Sequence, residues 1–322
     1  MPDPIRERAG VAPDEVAVTT SVSQGVSGVV SALPLERGER RRIVITELEC
    51  PTVGQIAHAQ ELRGAEVVHV RPGEDGTIPL ERFEEAIDER TALVCCTVVS
   101  YRTGARLDVA EIARIAHDRG ALVFADAYQA AGSISLDARA LGVDFLAAGT
   151  VKYLLASAGL GFLYCRGQLA QSLLPTQTGW FADEDIFRMD ISDYSPHASA
   201  RRFDAGTPPV PSIYGGLAGM AIVEQAGVQA IEAHVRTLNL RLLTGLDELD
   251  AAVATPRPEA QRGALICVWS WDIDELVAAL AAERIVTSSR DGNLRISLHL
   301  YNVEEDVDRV LEALAKHRRL LT

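Results

Sequence analysis

The chain predicts an α/β fold: a doubly wound, mostly parallel sheet between helices, followed by a smaller α+β unit. Three observations carry this. Apolar runs of strand length alternate with helix-length amphipathic segments from Arg42 onward, joined by short links. The run Ala92–Val99 is apolar but for Thr97, as a parallel strand buried on both faces must be. After a long helical region the order becomes strand, helix, strand, strand, helix, which no longer repeats one βαβ unit.

Residues 1–15 read as a polar, proline-containing lead-in. Val16–Val18 is a short strand running into Thr19-Thr20-Ser21-Val22-Ser23, and an apolar stretch continues to Leu33. Hydroxyls just ahead of a helix are N-caps, and with the free amides of the first turn they also make an anion site; both readings stand on the residues alone. Ile43–Ile45 is a strand, Thr52–Leu62 a helix, Glu66–Val70 a strand and Pro79–Ile87 a helix opened by proline. Asp108–Arg119 is an amphipathic helix with an acidic start and Gly120 as its stop. Ala121–Ala125 is a strand ending at Asp126, and Val143–Ala147 and Leu160–Cys165 are two more. Residues 166–211 are irregular and rich in aromatics and prolines, a length of loop that is more often functional than passive. Ser212–Leu249 is helical, broken near Gly227. The remainder reads strand Ala264–Trp271, helix Ile273–Glu283, short strand Ile285–Ser288, strand Leu294–Leu298 and helix Val303–His317. This divides the chain into a large domain over 1–225 and a small C-terminal domain over 226–322.

The composition bounds the partners. A hydrophobic share of 48% over 322 residues supports a substantial core. A net charge of −14 argues against nucleic acid or an anionic membrane as partner. No apolar run is long enough to span a bilayer, and no signal peptide is read. The five cysteines show no paired or metal-ligand spacing, and four lie in strand-like runs, as expected of reduced thiols in the cytoplasm; no metal site is expected.

One residue type is out of keeping. Of 31 basic residues only Lys152 and Lys316 are lysines. Lys152 stands among small and apolar neighbours in Gly149-Thr150-Val151-Lys152-Tyr153-Leu154, where an ammonium is costly and its pKa falls. A lysine so placed is a nucleophilic amine, or else one snorkelling at a strand end. Asp126 ends a strand two elements earlier. A strand-end carboxylate, a depressed lysine and a helix-start anion site are the three parts that pyridoxal phosphate requires. They hold its pyridine nitrogen protonated, bond its aldehyde and cradle its phosphate. No glycine fingerprint of a dinucleotide site is present.

These residues resemble the class V aminotransferase family of fold-type-I pyridoxal-phosphate enzymes, which includes cysteine desulfurases and kynureninases. The similarity runs through Thr19–Ser23, Arg102-Thr103-Gly104, Asp126-Ala127-Tyr128-Gln129, Gly149–Leu154, Arg202–Thr207 and Arg295–Asn302. It implies Lys152 as the Schiff-base lysine, Asp126 as partner of the pyridine nitrogen and Gln129 as donor to the phenolic oxygen. It implies Ser21, Val22 and Ser23 as the phosphate cradle, aided by Thr150, and Arg295 as the grip on the substrate α-carboxylate. Thr207 then reaches the cofactor of a second subunit, in a homodimer with shared active sites. Tyr101, Arg102 and Trp180 are candidate substrate contacts.

Three departures qualify the resemblance. Cys50 follows Glu49 where relatives stack a His or aromatic ring on the cofactor. Val151 precedes the lysine where many relatives have His. The loop before Arg295, Thr287–Gly292, holds no cysteine, so persulfide-based desulfuration is not expected. The chain also starts late relative to the family, which reads as a truncation or a natural shortening. The expected function is action on an amino acid through an external aldimine and α-proton abstraction. The outcome is transamination or loss of a β-substituent by C–S or C–C cleavage. The alternative is an idle relative serving as a binding or regulatory subunit.

Overall fold

The computed structural model of the protein describes residues 11–167 and 169–322. The lead-in read over residues 1–15 therefore lies outside the described residues as far as residue 10, and Pro13–Glu15 form a 3₁₀ turn.

A seven-stranded sheet contains β1 (Val16–Thr19), β2 (Arg42–Thr46), β3 (Glu66–Val70), β4 (Thr91–Thr97), β5 (Leu122–Asp126), β6 (Phe145–Gly149) and β7 (Gly161–Cys165). The spatial order is β1-β7-β6-β5-β4-β2-β3. The five strands from β6 to β3 are parallel, and β7 runs against both of its neighbours. The helices between them are α1 (Val22–Ser31), α2 (Pro51–Ala59), α3 (Leu80–Ala86) and α4 (Val109–Asp118).

Both faces of the sheet are buried, and the strands alternate between two cores, as the two-residue period dictates. Ile43, Ile45, Leu93, Cys95, Phe124, Phe145 and Ala147 pack on the side of α1 and α2. Val44, Val94, Cys96, Val123, Ala125, Leu146 and Ala148 pack on the side of α3 and α4. The helix starts are written in the sequence. Ser21 caps α1 by accepting from the Gln24 amide at 3.2 Å, Asp108 caps α4 by accepting from Glu111 at 3.2 Å, and Pro51 opens α2.

Beyond β7 come the single-turn helix α5 (Leu169–Ser172) and two 3₁₀ turns in an otherwise irregular stretch. The predicted helical region is two helices, α6 (Val210–Ala226) and α7 (Val228–Glu248), joined at Gly227 with φ +81°. A third core then forms around a three-stranded antiparallel sheet of β8 (Leu265–Trp269), β9 (Ser288–Arg290) and β10 (Asn293–Ser297), in the order β8-β10-β9. The helices α7, α8 (Ile273–Ala282) and α9 (Glu304–Lys316) cover one face of this sheet, burying Ile266, Val268, Leu294 and Ile296.

One strand is misplaced by the sequence reading. Ile285–Ser288 is mostly not strand; pairing begins only at Ser288. The Ile285 amide closes the end of α8 by bonding the Leu280 carbonyl at 2.9 Å. Ladder bonds start where the Asp291–Gly292 turn folds the chain beside β10. Both turn residues have positive φ, +50° and +76°, the backbone of a two-residue hairpin, which Asp-Gly accommodates.

Candidate active site

The register of the large sheet assembles one edge. Thr97 is level with Asp126, and Asp126 with Ala147. Gly149 and Thr19 both pair with Gly161, from opposite sides of β7. Because β7 opposes both, β1 and β6 run the same way and end together. The carboxyl ends of β1, β4, β5 and β6 therefore form a continuous rim, the place where open α/β sheets bind ligands.

Lys152 stands on that rim, in the loop after β6. Its side chain is open to solvent on one side, yet its Nζ lies 4.4 Å above the centroid of the Tyr128 ring. Loss of hydration against the surrounding walls lowers its pKa to about 8, opposed by the negative charge of Asp126 and assisted by Arg295. The loop carrying it is fixed from behind by α6. A Cβ at Gly219 would overlap the Leu154 carbonyl oxygen and lie 2.7 Å from that of Leu155, so only glycine lets the helix approach so closely.

Asp126, 4% exposed, ends β5 and accepts the Tyr128 amide at 2.8 Å. Burial raises its pKa to about 6, moderated by that amide and by Lys152. Gln129, one turn further, is 6% exposed, and its Nε2 has no acceptor among the described residues. A buried amide donor without a partner costs roughly 1–3 kcal/mol unless a ligand satisfies it.

The α1 start stands at the β1 end of the same rim. Ser21 caps its own helix, the Ser23 hydroxyl meets the Thr52 hydroxyl at 2.8 Å, and the Val22 and Ser23 amides lie in the first turn, where helices have no acceptor to offer. Thr150 departs from its expected role. It is fully buried, and its hydroxyl donates to the Ser157 and Leu160 carbonyls at 3.2 and 3.3 Å. It closes the lysine loop and has no hydrogen left for a phosphate.

Cys50 is the N-cap residue of α2, half-buried, and a near neighbour of Lys152, Tyr128 and Tyr101. Tyr101 is half-buried, and burial raises its phenol pKa. Arg102 is differently engaged: its Nε donates to Asp291 at 2.5 Å, and a terminal nitrogen donates to the Glu47 carbonyl at 3.0 Å. It ties the β9–β10 turn to the rim. Arg295 lies on β10, donating to the Ser288 hydroxyl at 3.3 Å, with a buried Nε that has no acceptor among the described residues. Trp180 and Thr207 are exposed. Trp180 donates to the Ile186 carbonyl, and no hydrogen bond joins either residue to Lys152 among the described residues.

Two neighbours were given no role of their own in the sequence reading. Tyr128 stands between Asp126 and Gln129 and fills the space above Gly149. Glu49 is buried beside Asp126, and burial, then the Asp126 charge, holds its carboxyl well above the usual range. Both adjoin residues already singled out, but nothing in their spacing marks them. A cleft of about 1010 Å³ between Pro79, Ser135, Glu232 and Gln261 lies apart: none of the rim residues named above lines it.

The fold is that of the fold-type-I pyridoxal-phosphate enzymes, and comparison with known proteins narrows it. The family described as Aminotransferase class-V matches residues 4–310, so the chain belongs to the class V aminotransferases. It is 34% identical over 306 residues to the uncharacterized aminotransferase YcbU of Bacillus subtilis, covering 95% of this chain and 80% of that protein. It is 28% identical to a probable cysteine desulfurase of Methanothermobacter thermautotrophicus, covering 94% and 78%. Among solved structures it is similar to the apo cysteine desulfurase of Thermococcus onnurineus, with a TM-score of 0.89, 25% identity and coverage of 98% and 82%.

The protein is therefore a pyridoxal-phosphate-dependent enzyme. Its residues fit that cofactor. The rim joins a depressed lysine, a buried carboxylate, an unsatisfied amide donor at Gln129 and an open helix start. No helix among the described residues is long and apolar enough to cross a membrane.

Proposed function

We propose that the protein acts on an amino acid by transamination or by elimination of a β-substituent, with Lys152 as the amine that bonds the cofactor aldehyde and afterwards moves the substrate Cα proton. Bound here, pyridoxal phosphate supplies an electron sink for the bond broken at Cα. The chain's own groups do the rest. Asp126 Oδ holds a proton on the pyridine nitrogen, a task helped by its burial, since a charge pair is stronger where water is excluded. Gln129 Nε2 donates to the phenolic oxygen. Ser21, Val22 and Ser23 hold the phosphate through amides and hydroxyls at the positive end of α1.

Lys152, whose neutral form grows as pH rises toward 8, accepts the Cα proton at Nζ. Arg295 receives the substrate α-carboxylate; a guanidinium with an unsatisfied Nε suits a bidentate grip. Tyr101 lines the mouth. In this reading Thr207 and Trp180, both exposed, serve the site of a second copy in a homodimer. Placement in the cytoplasm belongs to the same reading, supported by five free cysteines, four of them buried.

Persulfide-based desulfuration is not part of this proposal. The β9 segment offers Ser288-Ser289-Arg290 and no thiol, and Cys50 is half-buried at the start of α2. The observation that carries the reading is the join of Lys152, Asp126 and the unsatisfied Gln129 on one rim. Incubation of the loaded enzyme with the twenty amino acids and an acceptor keto acid tests it. Formation of a new keto acid, or release of pyruvate or alanine, supports the reading. Sulfane sulfur from cysteine, bound to the protein, would contradict it.

A further inference from the structure

The hairpin of β9 and β10 presents two guanidinium groups to the rim. Arg290 pairs with Asn293, and Arg295 with Ser288. Residues two apart on a strand share a face, so Arg290, Ser288, Asn293 and Arg295 all lie on one side of the hairpin. The other side carries Leu294 and Ile296 into the third core. The arginines are diagonal neighbours across the ladder, about 7–8 Å apart at their side-chain bases. The Arg295–Ser288 hydrogen bond spans the same face.

The hairpin's position relative to Lys152 is fixed at its tip. Arg102, on the loop after β4, grips Asp291, the residue next to Arg290, and holds the Glu47 carbonyl as well. The fields agree with this placement: both arginines act on the Lys152 ammonium, and Arg290 also acts on Tyr101 and Arg295.

The charges do not balance. Lys152 is answered by Asp126, and Asp291 is taken by Arg102. Among the described residues neither Arg290 nor Arg295 has a carboxylate within ion-pair distance; Arg290 donates only to the neighbouring Ser289 carbonyl, at 2.6 Å. Seventeen of the other 25 arginines among the described residues do have such a partner. In a protein of net charge −14, two unpaired guanidiniums side by side at a mouth are a site for two anionic groups. An amino acid has one carboxylate for Arg295.

We propose that Arg290 receives a second carboxylate, so that the substrate is an amino acid with an acidic side chain. The inference rests on the proposed site and names its substrate class. It makes Arg290 a specificity-determining residue, reached from a segment that the sequence reading treated only as lacking a cysteine.

The test uses the loaded enzyme and unreactive probes. Succinate and glutarate carry two carboxylates; butyrate carries one. Each is titrated by calorimetry into wild type, Arg290→Gln and Arg295→Gln. Succinate or glutarate should bind at least tenfold more tightly than butyrate to wild type. Arg290→Gln should bring the two classes within threefold, and Arg295→Gln should weaken all three probes. Equal binding of both classes by wild type, or discrimination that survives Arg290→Gln, overturns the proposal. Circular dichroism checks that each variant is folded, which the exposed position of Arg290 favours. The underlying site is read separately from the cofactor's visible absorbance. A normal band without discrimination rejects the substrate class alone, whereas a protein that takes up no cofactor rejects both.

Discussion

Lys152 Nζ sits 4.4 Å over the face of Tyr128, and the backbone amide of that same tyrosine is bonded to Asp126. One residue thus touches both Lys152 and Asp126. The ring is a favourable neighbour for an ammonium, typically by about 0.5–2 kcal/mol, but it also excludes water from it. Desolvation is the first cause of its lowered pKa, ahead of the opposing charge of Asp126.

The first prediction is the pH dependence of Lys152. With its pKa lowered to about 8, the neutral amine grows as pH rises through 8, more than two units before an ordinary lysine. Labelling of the cofactor-free protein by an amine reagent, followed residue by residue by mass spectrometry, should show a midpoint near 8 at Lys152. Lys316, ion-paired to Glu283 on the surface, serves as internal comparison. A midpoint above 10 at Lys152 contradicts the environment described.

Tyr128→Ala should move that midpoint upward, because water enters where the ring stood and restores hydration to the ammonium. Tyr128→Phe keeps the ring and should leave it near 8. A fall in the alanine variant would mean that the ring's attraction for the cation outweighs its exclusion of water.

Gly219→Ala tests how the lysine loop is held. The added methyl meets two backbone carbonyls that cannot rotate away, so the loop must shift. Overpacking of this kind costs about 1–3 kcal/mol. The variant should unfold at lower denaturant and bind pyridoxal phosphate roughly tenfold more weakly, a loss of about 1.4 kcal/mol, with every site residue retained. Unchanged cofactor affinity would show that the loop tolerates the displacement.

The Arg102–Asp291 pair should matter for position and little for stability. Both side chains are partly exposed, and such pairs contribute about 0–1 kcal/mol. Arg102→Ala, Asp291→Ala and the double variant should each stay within about 1 kcal/mol of wild type in unfolding. Each should raise KM for the amino acid several-fold, and the double variant should do no more than either single one. Additive losses would show that the two residues act separately.

The order of elements was legible because the strands are buried on both faces, and the alternation of Ile43, Val44 and Ile45 between two cores reads as one apolar run. Asp126 and Lys152 were legible because a strand end and a compositional oddity mark them. Thr150 was misread, since a hydroxyl beside the lysine looks free until the loop folds and its donor is spent on Ser157 and Leu160. Arg102 read as a substrate contact, because its partner Asp291 lies 189 residues away. Ile285–Ser288 looked like strand because β-branched residues favour it, while the ladder waits for the Asp291–Gly292 turn. Tyr128 and Arg290 were given no role of their own: one needs the Lys152 loop laid over it, the other the register of the hairpin.

The central claim is that Lys152 is the residue that bonds the cofactor. The most direct measurement is borohydride reduction of the protein loaded with pyridoxal phosphate, followed by peptide mapping. The visible absorbance band should vanish on reduction, and the pyridoxyl label should be recovered on Lys152, with no band in Lys152→Ala. Label recovered on Lys316 or on no lysine, or a band that persists in Lys152→Ala, would contradict the account.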